Sequence, residues 1–339
     1  MHLLDTHAIA WIPVRTAFFR NRIEAAEAAL SDLSEALPAL LPIIRSGLSD
    51  VEVAISDPPA TVKRRLSANS ILVHARQVDF LRVTARYTLD RDAFKERNPD
   101  RELDDDIFSA IAAMYLGEAI GTLLMFSELS HPGRISTTQG IVTTPQGGYA
   151  RVPEKSCFFQ LWHPEDDDPT WPPVTTLALK DVLSWARGTS FFTHAFAVSR
   201  IERSLAAFTQ MVHLGPYTEG ETLFRAMQSL ESFYCDGIGD LRKQLAEKSA
   251  LWVGRWKEPK NVVGHLYDMR SKFIHGGTKL QYWASHVDPQ EEDEKHMRSF
   301  AHAVTLATRL VVATLQRCVV DEVHNIEWTY ALKASRTKE

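Results

Sequence analysis

Apolar residues recur at helical spacing along most of this chain. Two Ala- and Leu-rich patterns occupy residues 14–46, and Pro38 and Pro42 disturb the second. After the breaker SDPP, the segment ILVHARQVDFLRVTARY predicts a long helix, and another is predicted over roughly 105–129. Helical spacing resumes near Val174 and continues to about Lys333. These patterns predict a mainly α protein.

A different pattern separates the two helical parts. Short β-branched runs flank PQGG in HPGRISTTQGIVTTPQGGYARV, which indicates a hairpin, and the Pro- and acid-rich loop HPEDDDPTWPP follows. We therefore expect an N-terminal helical domain at 1–130, a small β-hairpin and loop connection at 131–176, and a C-terminal helical bundle at 177–339.

Two acidic groups have to be weighed as metal ligands. The first, Asp104–Asp106, precedes a predicted helix, whose positive N-terminal end favours carboxylates. The second belongs to the Pro-flanked loop, where consecutive acids are typical of a solvated surface; it contains His163, Glu165, Asp166, Asp167 and Asp168. We predict helix capping for the first group, a solvated surface for the second, and neither a metal nor a cofactor.

Composition limits the class of protein. The 339 residues are 45% hydrophobic, which predicts a chain folded throughout, and the formal net charge of −5 argues against a general polyanion binder while permitting a local basic site. Cys157, Cys235 and Cys318 form no CxxC pair, which suits a reducing cytoplasm. The N-terminus lacks the pattern of a signal peptide. Glu118 interrupts the most apolar stretch, 109–126, so we expect a buried helix there rather than a membrane span. We expect a soluble cytoplasmic protein without a membrane segment.

Most enzyme motifs are absent from the sequence. It contains no GxxxxGK[ST], no GxGxxG after a strand, no HExxH and no GxSxG. The segment that remains is LYDMRSKFIHGG, residues 266–277. Pro259 suits a helix start and Gly276–Gly277 a helix stop, so one helix is predicted over 260–275.

Arg270 falls within about 30° of the centre of the apolar face of that helix. A guanidinium directed at a core or interface needs an acceptor, because an unpaired buried charge costs several kcal/mol. Glu231, on the margin of the apolar stripe of the preceding helix, is one candidate. The two side chains would form either a purely structural ion pair or an arginine oriented by Glu231 toward an anion.

His275 lies in the last turn, just before the glycines. Helix C-terminal carbonyls favour a protonated imidazole, which suits either a capping histidine or one that transfers protons. Arg270 and His275 are five residues apart and do not share one helix face, so a second copy of the helix or the long arginine stem would have to bring them to one substrate.

The segment LYDMRSKFIHGG resembles the Apea-like branch of the HEPN domains. That branch shows a tyrosine, then RS, then HG at this spacing, and the upstream SLESF helix is similar to its preceding acidic helix. The likeness covers roughly residues 177–333. Three Arg-x4–6-His matches occur in the chain, about the number chance allows, namely Arg187/His194, Arg270/His275 and Arg317/His324. The middle one alone has the flanking Tyr267, Ser271 and glycine pair.

The resemblance implies a HEPN helical bundle that forms a homodimer and brings two Arg/His pairs into one cleft. Many such proteins are metal-independent ribonucleases of antiviral, abortive-infection or toxin–antitoxin systems, with an antitoxin or a phage-derived trigger as further partners. His275 would be the general acid or base for attack by the 2′-hydroxyl, Arg270 would stabilise the phosphate, and Glu231, Tyr267 and Ser271 would support them. The alternative is a non-catalytic HEPN module that binds nucleotide, RNA or a protein partner, and a purely structural scaffold is a third possibility.

Basic residues outnumber acidic ones between positions 242 and 272, as a phosphate ligand would require. We predict RNA contacts from four of them, Arg255, Lys257, Lys260 and Lys272. Trp252 and Trp256 lie in the same stretch and would either stack on bases or belong to the core.

Overall fold

The computed structural model describes residues 3–15, 23–69, 78–100, 102–155, 171–213, 219–256, 262–279 and 290–329. In this part of the chain the protein has ten α-helices and one antiparallel sheet. The strands are β1 (Leu3–Arg15), β2 (Leu48–Ile55), β3 (Val78–Asp90), β4 (Ser136–Thr137), β5 (Gly140–Thr143) and β6 (Tyr149–Val152). Their order is β2-β3-β1-β5-β6, with β4 paired to β1.

The expectation of a purely helical N-terminal domain is wrong, because three of these strands lie in it. The clearest case is ILVHARQVDFLRVTARY, where residues 78–87 form a strand rather than a helix; residues 71–77 lie outside the described part. In β3, Leu81, Val83 and Ala85 are buried while the residues between them are half-buried. This alternation has the period of two that a strand with one covered face requires.

The predicted hairpin around PQGG is confirmed, since β5 and β6 pair antiparallel. It is not a separate connection, however, because β5 also pairs with β1 and extends the N-terminal sheet. Its turn is held by α4 (Asp105–Ser130), where the Ser109 hydroxyl contacts that of Thr144 and accepts from the Gly148 amide at 3.0 Å.

The N-terminal half contributes three helices besides α4, namely α1 (Ile23–Ile44), α2 (Ala60–Asn69) and α3 (Arg91–Arg97). The first continues through Pro38 and Pro42, so the predicted disturbance does not break it. Leu37, Leu40 and Leu41 are buried around these prolines, and their packing offsets the two lost backbone hydrogen bonds. As predicted, Asp104 caps α4, accepting from the Ile107 amide at 2.7 Å.

The helix α4 covers the sheet closely. Val142 and the backbone of Arg151 approach Gly117, and Pro153 approaches Gly121. At its C-terminal end, Glu128 and Lys155 form an ion pair at 2.8 Å in which both side chains are at most 1% exposed. The predicted burial of the apolar stretch 109–126 is therefore confirmed.

The C-terminal half is helical, as predicted. It contains α5 (Leu179–Arg187), a 3₁₀ turn (Ser190–Phe192), α6 (Arg200–Val212), α7 (Glu219–Tyr234), α8 (Leu241–Trp252), α9 (Val262–Ile274) and α10 (Glu291–Val320). The chain leaves the helical conformation after α10, so the predicted helical block ends earlier than Lys333. One continuous core joins both halves, and Gln316 on α10 donates to the carbonyls of Leu129 and Thr175 at 2.8 and 2.6 Å.

Within the described residues, α4 and α10 are long and apolar enough to cross a membrane by length and composition. Of their most apolar windows, 61% and 78% respectively are buried inside the protein. Burial of this extent is typical of core helices.

Candidate active site

The helix α9 ends as the glycine pair predicts. The Gly277 amide donates to the Lys272 carbonyl at 2.7 Å, and the Gly276 amide donates to the Phe273 carbonyl at 3.4 Å. With Gly276 at φ +70°, this is the Schellman arrangement, in which a residue without a Cβ adopts the left-handed conformation at the helix end. His275 is thereby the last residue before the turn, and its side chain is exposed.

Arg270 lies at the margin of the buried face of α9 rather than in its centre. Val263, Leu266 and Met269 are buried, whereas Arg270 is only partly buried. Its Nε is inaccessible to solvent and has no hydrogen-bond partner among the described residues. The guanidinium therefore carries one donor that the described part of the chain leaves unused.

The predicted pairing of Arg270 with Glu231 is wrong, because these two described residues form no ion pair. Glu231 lies instead beside Tyr267, one turn earlier on α9, and beside Cys235. Burial, and after it the negative charge of Glu231, raises the pKa of Tyr267 above its usual range. Burial likewise raises the pKa of Cys235 to about 11.

Tyr267 and Ser271, the other predicted supporting residues, have different surroundings. The Tyr267 hydroxyl is buried without a hydrogen bond of normal geometry in the described part of the chain. Ser271 is exposed, and its carbonyl accepts the His275 amide at 3.0 Å within the last helical turn. Tyr267 is thus placed between α9 and α7, and Ser271 on the outer face of α9.

Arg270 and His275 diverge within one copy of the chain. Five residues of helix correspond to a rotation of about 140° between the two side chains and a rise of about 7.5 Å. Arg270 is directed to the inner margin of α9 and His275 to solvent at its end. Both groups can contact one phosphate only through the reach of the arginine stem or through a second α9.

The segment after α9 runs against the start of α10. Thr278 and His296 are joined by a side-chain hydrogen bond of 2.9 Å, and Lys279 forms an ion pair with Asp293, also at 2.9 Å. The first turn of α10 is acidic throughout, with Glu291, Glu292, Asp293 and Glu294. Lys279 therefore offsets only part of the negative charge next to the glycine turn.

Fewer basic side chains are available to a ligand in the structure than the sequence suggests. Lys248 is buried, with its Nζ 2.7 Å from Asp236, and Arg242 and Lys243 form ion pairs with Asp268 and Glu247. Of the four predicted RNA contacts, Arg255 and Lys272 are exposed. The other two, Lys257 and Lys260, lie outside the described residues.

The two tryptophans of this stretch differ. Trp252 donates to the Thr314 carbonyl at 3.2 Å and packs against Phe233 and Trp328, so it belongs to the core rather than to a base-stacking surface. Trp256 meets Trp171 edge to face, with ring centroids 5.3 Å apart. Trp171 and Trp256 line a cavity of about 590 Å³ together with Arg255.

One of the other Arg/His matches has a purely structural role. Arg317 bonds Asp321 at 2.9 Å and the Trp252 carbonyl at 2.6 Å, while His324 contacts the Trp185 carbonyl at 3.1 Å. In the pair Arg187/His194 both side chains are exposed, but Gly188 ends the helix between them. The pair on α9 remains the match with an unused donor and an exposed imidazole.

Metal ligands do not cluster in the described part of the chain, where no group of three or more His, Cys, Asp or Glu residues is placed to hold an ion. The acidic loop at 163–168 and Cys157 lie outside it. Cys235 and Cys318 are both buried free thiols.

Scans of this chain against protein-family models, curated proteins and solved structures find no match.

Two features had no recognised signal in the sequence: the buried Glu128–Lys155 pair and a cavity beside Arg45 and Tyr115. Both join segments far apart in the chain, which local patterns do not reveal.

Proposed function

We propose that this protein is a metal-independent endoribonuclease of the HEPN type that acts as a homodimer in antiviral, abortive-infection or toxin–antitoxin defence. The observation that carries the proposal is the end of α9. There an exposed His275 stands on a fixed Schellman turn, five residues after an arginine whose buried Nε has no acceptor among the described residues.

The chemistry follows from the two side chains. His275 takes the proton of the 2′-hydroxyl as its oxygen attacks the adjacent phosphorus, and the bond from phosphorus to the 5′-oxygen breaks. A protonated His275 of the second copy returns a proton to the leaving 5′-oxygen. Arg270 stabilises the negative charge that develops on the phosphate. The products are a 2′,3′-cyclic phosphate and a 5′-hydroxyl.

The dimer is part of the proposal because Arg270 and His275 diverge by about 140° within one copy. Apolar side chains on neighbouring elements support an interface near this end of α9. Ile274 is 41% exposed and Met297, on the facing start of α10, is 43% exposed. A second α9 packed there would bring two Arg/His pairs into one cleft.

One observation favours a second candidate, a HEPN module that binds nucleotide, RNA or a protein without cleaving RNA. Glu231 faces Tyr267 instead of Arg270. No carboxylate of the described residues therefore orients the guanidinium, and orientation is what turnover requires more than binding does.

The test is cleavage of a mixed RNA in EDTA by the purified protein and by His275→Ala and Arg270→Ala. Each variant should lose at least about 100-fold in rate, since positioned acid–base and electrostatic groups contribute factors of this size. Arg187→Ala and His194→Ala are the matched controls, because they remove an exposed pair with the same kind of spacing. Light scattering is used to check that all five proteins, the wild type and the four variants, have the same oligomeric state.

Cyclic-phosphate ends produced by the wild type and the control variants alone would support the nuclease. Equal cleavage by all five proteins would show that the site is wrong. RNA binding that depends on Arg270 and His275 without cleavage would favour the binding module, and RNA that is neither bound nor cut would refute both candidates.

A further inference from the structure

A second cavity lies in the N-terminal half of the protein. Its volume of about 940 Å³ is close to the upper limit for small-molecule sites. Its walls come from the turn after α1, the end of β3, α3 and the first half of α4. None of the proposed nuclease residues lines it, so it is separate from the candidate active site.

The distinctive group of this cavity is Arg45, which follows α1. Its guanidinium lies over the Tyr115 ring with its central carbon 3.4 Å from the ring centroid. The side chain is 37% exposed and touches Glu118 only at 3.8 Å. One face of the planar guanidinium is thus covered by an aromatic ring, while more than a third of the side chain remains exposed and lines the cavity.

Apolar side chains line the wall next to this stacked pair. Phe94 and Ile111 are partly buried, and Met114 is 41% exposed. Tyr87, buried at the base, meets the Tyr115 ring edge to face with centroids 5.6 Å apart. A flat apolar body entering here would remove Met114 and Ile111 from water, which favours its binding.

Arg97 supplies a second positive charge. It is exposed at the end of α3 and forms no ion pair with any described residue. Of the two carboxylates in the wall, that of Asp90 accepts the amides of Asp92 and Ala93 as the cap of α3. Glu102 also lines the wall, so its two arginines and two carboxylates balance in charge. Arg97, which has no ion pair among the described residues, is the group of the wall that can bind an anion.

We propose that this cavity binds a small organic anion with a planar aromatic body. The ring stacks on the side of the Arg45 guanidinium away from Tyr115 and packs against Met114, and the anionic group is held by Arg97. Nucleotides and simpler aryl phosphates share this chemistry.

The test is calorimetric titration of the full chain with 1-naphthyl phosphate, with 1-naphthol, which has the ring without the charge, and with inorganic phosphate, which has the charge without the ring. The aryl phosphate is expected to bind at least about tenfold more tightly than either part, because ring and charge each contribute. Titration with AMP distinguishes nucleotides from simpler aryl phosphates as the ligand. If AMP binds more tightly than 1-naphthyl phosphate, the cavity is a nucleotide site; if AMP binds more weakly, it is a site for simpler aryl anions.

Arg97→Gln should weaken binding of the aryl phosphate by about tenfold or more, as expected for the loss of a charge-assisted hydrogen bond. Arg45→Lys keeps the charge but removes the planar surface and should weaken it similarly. Arg91→Gln, an exposed arginine of α3 that does not line the cavity, is the control and should bind as the wild type does. The proposal is overturned if the aryl phosphate does not bind, if 1-naphthol binds equally well, or if either cavity variant matches the control.

Discussion

Replacing Lys155 by methionine should expose how much the fold depends on one buried charge pair. The Lys155 Nζ lies 2.8 Å from Glu128 Oε2, and the two side chains are 1% and 0% exposed. The other carboxylate oxygen accepts the Gly133 amide at 2.8 Å, which keeps Glu128 fixed at the end of α4. Lys155→Met removes the Lys155 charge from beside that buried carboxylate, and breaking such a pair costs about 3–5 kcal/mol.

The assay is equilibrium unfolding in urea. With a slope near 3 kcal/mol per molar, the expected loss lowers the midpoint by about 1 M or more. The double variant Lys155→Met/Glu128→Leu removes both charges and should recover most of the stability, because apolar pairs of similar volume replace buried ion pairs at little cost. Lys95→Met, at an exposed position, should change stability by less than about 0.5 kcal/mol. A single variant within about 1 kcal/mol of the wild type, or a double variant no more stable than the single one, would refute this reasoning.

Three further substitutions test the helix ends and the candidate site. Gly276→Ala forces a Cβ into the left-handed region at φ +70° and should cost about 1 kcal/mol in thermal unfolding, with reduced RNA cleavage because His275 is displaced; unchanged stability would contradict the Schellman assignment. Tyr267→Phe removes a buried hydroxyl that lies beside Glu231 and Cys235 but makes no hydrogen bond of normal geometry in the described part of the chain. The variant should be neutral or stabilising by up to about 1 kcal/mol, and a clear loss of stability would show that the hydroxyl bonds one of these two neighbours. Hydrogen bonds from Ser190 and from nearby backbone amides lower the pKa of Glu202 from its usual value near 4.5 to about 2. Because the pKa of Glu202 is lower in the folded than in the unfolded protein, its ionised carboxylate stabilises the fold at pH values above about 4.5. This contribution is lost as the pH falls from about 4.5 to 2. Glu202→Gln should flatten the pH dependence of urea unfolding in that window, and identical pH profiles would contradict the assignment.

Features set by neighbours in the sequence could be predicted. The capping of α4 by Asp104, the PQGG hairpin and the end of α9 each depend on residues within a few positions of one another. Such interactions are read directly from spacing, because the side chain and the backbone group it serves lie in the same turn.

Features that depend on distant segments could not. Residues 78–87 have both helical spacing and strand alternation, and pairing with β1 decides between them. Glu231 lies on the expected margin of α7, but the rotation of α7 against α9 places Tyr267 rather than Arg270 beside it. Sequence spacing limits which face a residue occupies, whereas the partner across a helix interface depends on packing angle.

The position of β1 in the sheet has a consequence for synthesis. This strand leaves the ribosome before the others, yet it lies between β3 and β5 and pairs with residues 78–90 and 141–143. At about 5–20 residues per second, it waits roughly 4–15 s for its first neighbour and about 6–26 s for its second. During that time a strand of 13 residues has unpaired backbone groups on both edges, a template for pairing with other nascent chains. Production of this protein should therefore depend on chaperones that bind extended segments, and most strongly while residues 16–140 are being made.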